Sequence, residues 1–178
     1  MSARTDTEEM RSTLLAVLQH ATRAGAAAAD AVMVESSAFA AGVRLGAVEK
    51  LTHARERRLG LRVFAGASSA ITATADLSRG GLERFAADAV ALARVTAPDP
   101  LAGLPERTAL ATDTPELDLY DDAAATPNPE QALAQARAAE GAALAVDPRL
   151  SNSEGAEFSQ DASTIGYAST LGFAGSYC

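Results

Sequence analysis

The chain contains no tryptophan, and aromatic residues make up only 4% of it. A core without large planar side chains is built from Ala, Val and Leu with a few Phe and Tyr, which means small knobs and close backbone approach. A single cysteine, Cys178, excludes an intramolecular disulfide and fits a reducing compartment. Two histidines, His20 and His53, fall short of the three or four ligands that a zinc site draws together at characteristic spacing. The N-terminal MSARTDTEEMRSTLL places acids ahead of its apolar positions and has no uninterrupted apolar stretch, so neither a secretory signal nor a membrane anchor is expected. The expected location is the cytoplasm. Apart from the adjacent Gly80 and Gly81, glycines occur singly, which leaves no P-loop or dinucleotide fingerprint. An excess of positive charge is missing too: 15 Lys and Arg stand against 23 Asp and Glu, for a net charge of -8, and such a field repels polyanions.

What remains is a globular composition, 178 residues of which 48% are apolar, enough for one full domain or two small ones. Met10, Leu14, Val17, Leu18 and Ala21 recur at helical spacing, which predicts a helix from about Thr7 to Ala24, capped by Thr5, Asp6 or Thr7 and ended by Gly25. The period then changes to two. Val32 and Val34, followed by Phe39, Ala41 and Val43, predict a strand; Leu45 to Ala47 forms a hairpin turn; a second turn or bulge is expected around Glu56 to Gly60 and a third turn at Ala65 to Ala67. The result is an antiparallel meander of about four strands.

KLTHARERRLGLRVFAG, residues 50–66, holds five of the fifteen basic side chains. In a strand Arg55 and Arg57 share one face and Arg58 and Arg62 the other, so the pleat divides the cluster. A solvated sheet face whose charges deter edge pairing is the preferred reading. The sharper one is an anion or peptide-carboxylate clamp formed by Arg57 and Arg58.

Ser78 caps a second helix from Arg79 to about Val95. Six of the seven prolines fall between residues 96 and 129, and with the apolar Leu101, Leu104, Leu117, Leu119 and Tyr120 they predict an extended strap. Asp118, Asp121 and Asp122 lack the spacing of a calcium loop and read as solvated. Asn128, Pro129 and Gln131 open a third helix, with Leu133, Ala136, Ala139, Ala143 and Leu144 along one side. Beyond it, a hairpin is expected about a turn at Asp161 to Ser163, and Phe173 and Tyr177 begin another strand. That strand ends without a turn, cap or charged tail, so the chain is expected to stop inside a larger protein.

Six words in order carry a resemblance: Arg44-Leu-Gly-Ala-Val-Glu49, Leu59-Gly-Leu-Arg-Val-Phe64, Thr74-Ala-Asp-Leu-Ser78, Pro98-Asp-Pro-Leu-Ala-Gly103, Asp118-Leu-Tyr-Asp121 and Asn152-Ser-Glu-Gly155. Together they resemble the TldD/PmbA family of peptide-processing proteins, and Ser176-Tyr-Cys178 is more similar to its PmbA branch, also called TldE. Ala47 departs from the glutamate usual after the turn glycine. The resemblance implies an α+β fold, a two-layer module in which an antiparallel sheet is packed by about three helices with a long Pro-rich strap. It implies one N-terminal domain over residues 1–178, divided into 1–97, the strap 98–127 and 128–178, with the C-terminal domain beyond the chain. It further implies a subunit of a cytoplasmic metalloprotease complex. In such complexes a divalent metal, expected to be zinc, is held by a His-Glu-x-x-x-His helix of a TldD-type partner, and unfolded peptides are the substrates.

This chain has no such motif, so no catalytic residue, metal ligand or cofactor is assigned to it. Arg57, Arg58, Asn152 and Glu154 are its candidate substrate-binding or interface residues, although Asn152 to Gly155 also reads as a plain turn into a strand. Expected partners are a TldD-type subunit or a second copy, with no nucleic acid and no membrane. A stand-alone peptide-binding module that offers strand edges is the alternative.

Overall fold

A computed structural model describes residues 3–113, 115, 117–121 and 126–178, with residues 3–6 as backbone only. The elements are α1 (Ala3–Arg23), β1 (Ala28–Arg44), β2 (Ala47–Ala65), β3 (Ser68–Thr74), α2 (Arg79–Val95), α3 (Pro129–Leu144), β4 (Ala156–Ser169) and β5 (Ala174–Tyr177), plus one 3-10 turn at Arg107–Ala109. The strands form one five-stranded antiparallel sheet in the order β3-β2-β1-β4-β5. The expected α+β class, sheet and three helices are therefore present. Two compact units share the chain: Met1–Glu35, Arg57–Leu117 and Thr164–Cys178 make the first, Ser36–Glu56 and Asp118–Ser163 the second.

In the first unit the two-residue period sets the core. Ala29, Ala31 and Met33 of β1 and Leu59, Leu61 and Val63 of β2 are buried, and they meet Met10, Leu14 and Val17 of α1 and Leu82, Ala86, Ala89 and Val90 of α2. Burying each Leu or Val contributes roughly 1.5–3 kcal/mol. The scarcity of aromatics shows in how closely α1 approaches β4: a Cβ on Gly166 would lie 2.5 Å from the Met10 Sδ. Gly25 ends α1 at φ 98°, the Ala26 and Gly25 amides donating back to the Ala21 and Thr22 carbonyls as in a Schellman motif. Ser78 caps α2, its Oγ accepting from the Gly81 amide.

In the second unit, Phe39 and Ala41 of β1 pack with Ala132 of α3, and Leu133 and Phe158 lie against them. Asn128 caps α3, its Oδ1 accepting from the Glu130 and Gln131 amides at 3.0 and 3.2 Å, with Pro129 in the first turn.

Four expectations need correction. The second turn at Glu56 to Gly60 does not exist: β2 runs unbroken from Ala47 to Ala65, giving three meander strands instead of four. Gly60 serves a close approach there, since a Cβ would lie 3.3 Å from the Val32 Cγ1. The turn at Asp161 to Ser163 is absent as well, because β4 is continuous and the chain reverses instead at Thr170 to Phe173, where Gly172 supplies φ 97°. α1 starts at Ala3, so Thr5, Asp6 and Thr7 lie within the helix, and the side chains of Thr5 and Asp6 are outside the described residues. Finally, α3 buries Ala132, Ala136 and Glu140, whereas Ala139 and Ala143 are exposed. Of the three strap acids, Asp122 lies outside the described residues.

Candidate functional site

Each unit contains a polar cluster. In the first unit, Asp30 of β1 and Arg62 of β2 alternate with the buried core positions and so project from the opposite face of the sheet. Arg62 donates to Asp30 through Nε at 2.9 Å and Nη2 at 2.5 Å, a bidentate pair, and the Tyr167 hydroxyl of β4 donates to the same carboxylate at 3.0 Å. The guanidinium also lies 5.3 Å from the Phe64 ring centroid, a cation-π contact. Its hydrogen bonds to Asp30 hold Arg62 more firmly protonated than usual. Burial, then the charge and hydrogen bond of Asp30, push the Tyr167 phenol up to about 12. Each member has a partner, so the cluster is a closed clamp across β2, β1 and β4.

In the second unit the β1–β2 turn places Leu45 at φ 49° and Gly46 at φ 78°. Two successive amides in that conformation point one way and form a cradle for an anion. Glu140 of α3 fills it, accepting from the Leu45 and Gly46 amides at 2.8 Å each. Arg137 donates to the Gly46 carbonyl at 3.1 Å, and Arg44 donates through Nε to the Ser153 carbonyl at 3.1 Å. The Gly46 amide, followed by the Leu45 amide, the Ser153 hydroxyl and the Arg44 charge, holds the Glu140 carboxyl below its ordinary value despite burial. The words Arg44-Leu-Gly and Asn152-Ser-Glu-Gly155 are thereby joined through one helix carboxylate.

That geometry yields a prediction. A carboxylate whose folded value is depressed contributes stability that is fully present above its ordinary 4.5 and lost as pH falls through the lowered value. Glu140→Gln keeps one acceptor but turns an N–H toward an amide. It is expected to lower the unfolding temperature by a few degrees at pH 7, with the gap to the parent closing as the pH falls below 4. Parallel thermal melts of parent and variant from pH 3 to 8 test this, and a gap that stays constant with pH rules it out.

The candidate residues read from the sequence do not come together. Arg57 is engaged within the first unit, by Glu9 at 3.2 Å and by Glu35. Arg58 is exposed and, among the described residues, has no partner. Asn152 and Glu154 are exposed on the loop that Ser153 and Gly155 anchor. Glu140 and Asp30 escaped sequence reasoning. The available signals were an acid four residues after Ala136 on the apolar stripe of α3, and an acid in mid-strand opposite an arginine that alternates with Leu61 and Val63.

Among the described residues, no group of three His, Cys, Asp or Glu side chains is placed to hold a metal ion. His53 instead meets Ser37 through Nε2 at 3.0 Å and Phe39 edge to face. These residues do not fit a metal centre.

Residues 29–93 match the family description "PmbA/TldA metallopeptidase domain 1". A Haemophilus influenzae protein named metalloprotease PmbA homolog is 33% identical over 96% of this chain and 37% of its own length. The chain belongs to the PmbA/TldD family. Metalloprotease PmbA of Escherichia coli O157:H7 is 31% identical over 84% of the chain and 33% of its own length. The chain thus spans about a third of the length of these curated relatives. Two solved structures share the fold. One is a Bacteroides thetaiotaomicron protein described as a candidate modulator of DNA gyrase, with TM-score 0.85 and 24% identity over 96% of this chain and 39% of its own. The other is TldE from Thermococcus kodakarensis, with TM-score 0.77 and 11% identity over 93% of this chain and 36% of its own. Among the described residues no helix is long and apolar enough to cross a membrane.

Proposed function

We propose that this chain is the N-terminal domain of a PmbA/TldE-type subunit that works with a TldD-type partner in a metalloprotease complex acting on unfolded peptides. The supporting observation is the alignment of nearly the whole chain with metalloprotease PmbA homologues, together with the match to the first domain of the family. In this reading the partner would hold the divalent metal, zinc being the expected ion, and the chemistry that metal would supply is assistance to the attack of water on an unfolded peptide. The present domain is non-catalytic: its two polar clusters are closed clamps that fix strands and a loop, and Asn152 and Glu154 are the loop side chains left facing outward. Its setting is the cytoplasm. Arg57, Arg58, Asn152 and Glu154 remain its proposed substrate or interface residues.

The test is cleavage of an unstructured peptide by the TldD-type partner, with and without the protein that contains this chain and with a chelator control. Cleavage that requires both proteins and fails with chelator is the expected result. Equal cleavage by the partner alone overturns the reading. An independent peptide-binding role would then move ahead, supported by the open outer edge of β2 before Leu59, where pairing with β3 begins.

A further inference from the structure

The segment of β2 from Ala47 to Glu56, entirely within the second unit, is exposed at every residue. It is also an outer edge: β1 lies on one side, and β3 pairs with β2 only from Leu59 onward. Proteins guard such edges with short strands, proline, bulges or charges that repel a second copy. Here the strand is long and unbroken and contains no proline. Charge is the remaining guard, and its pattern decides whether this edge repels or attracts.

From Glu49 to Arg55 the outward side chains on one face read Glu49, Leu51, His53, Arg55. Glu49 and Arg55 have no ion-pair or hydrogen-bond partner among the described residues, and Leu51 is 52% exposed. Laid antiparallel against itself about a two-fold axis at Thr52, this face is self-complementary. Glu49 falls opposite Arg55 of the second copy, Leu51 opposite His53, and both pairs occur twice. On the other face Thr52 meets Thr52, Lys50 meets Ala54 and Val48 meets Glu56. No like charges oppose one another, and cross-strand pairs of opposite charge, of Thr with Thr and of apolar with aromatic residues all stabilise a sheet.

We propose that the outer edge of β2, residues 47–56, is a docking strand for a second copy of this chain, joined antiparallel about Thr52. The inference is independent of the metalloprotease reading. Pairing one such edge gives about ten backbone hydrogen bonds over a small area, so the association is weak, with a dissociation constant on the order of micromolar.

Sedimentation equilibrium and single-cysteine cross-linking of the 178-residue chain test this. The parent is expected to dimerise reversibly. Glu49→Arg, which sets two like charges in opposition across the pair with Arg55, weakens the dimer at least tenfold, and Glu49→Arg combined with Arg55→Glu restores it to within about threefold. In a Cys178→Ser background, Thr52→Cys forms a disulfide-linked dimer under mild oxidation, because directly opposed strand residues lie within disulfide reach, whereas Ala54→Cys does not. A chain that stays monomeric at several hundred micromolar overturns the proposal. So does a dimer indifferent to Glu49→Arg, one that cross-links through Ala54→Cys instead of Thr52→Cys, or an edge that captures extended peptides while the chain remains monomeric.

Discussion

Replacing Gly155 by alanine is expected to destabilise the second unit by about 3 kcal/mol, more than any change on the protein's surface. Gly155 sits at φ 105°, and a Cβ there would lie 2.5 Å from the Val43 carbonyl oxygen. The clashing atom is backbone belonging to a strand, so it cannot swing aside as the end of a side chain would. Relief requires β1 and the start of β4 to separate, which also disturbs the loop whose Ser153 carbonyl accepts from Arg44. Gly172 is the control. It has a comparable φ of 97° with nothing within 4 Å of the added carbon, so alanine there costs only the left-handed strain, about 1 kcal/mol. Chemical denaturation followed by circular dichroism measures both variants. Equal losses at the two positions would show that the contact with Val43 is not what makes position 155 demand glycine.

The contrast between these two glycines shows what was legible before the structure. Local rules were readable because their cause is local: Ser78 and Asn128 cap helices through their own side chains, and Leu59, Leu61 and Val63 declare a buried face by alternation. The two misplaced turns failed for a related reason. Glu56 to Gly60 and Asp161 to Ser163 have polar, turn-like composition, yet residue type alone does not show whether a glycine supplies a positive φ, as Gly172 does, or room for a neighbouring strand, as Gly60 does for Val32. Glu140 was out of reach for another cause. Its partners Leu45 and Gly46 are distant in sequence, and nothing in the spacing of α3 says that a loop amide pair waits opposite that carboxylate. The candidate residues Arg57 and Arg58 were correctly placed on opposite faces, but the engagement of Arg57 by Glu9 and Glu35 depends on how α1 and β1 approach β2.

Replacing Asp30 by alanine is expected to cost the first unit about 2–4 kcal/mol, because one carboxylate serves three donors. Asp30 is 6% exposed, and its removal strands the Tyr167 hydroxyl and the Arg62 guanidinium together. The Arg62 side chain is 39% exposed and can turn partly to water, which keeps the loss below that of a fully enclosed pair. Exchanging both charges for apolar groups, Asp30→Leu with Arg62→Met, is therefore expected to recover much of the loss, since no unpaired charge is left behind. The Tyr167 phenol gives an independent readout. Its folded value of about 12 stands above the ordinary 10, so the neutral form contributes stability that is fully present below pH 10 and lost as pH rises from 10 to 12. In Asp30→Ala the phenolate absorbance should appear at lower pH than in the parent, yet still above 10, because burial is the leading cause of the shift and survives the substitution. An unmoved midpoint would mean that burial alone sets the value. The tie to Asp30 would then be geometric only, and the stability lost in Asp30→Ala would have to be assigned to Arg62.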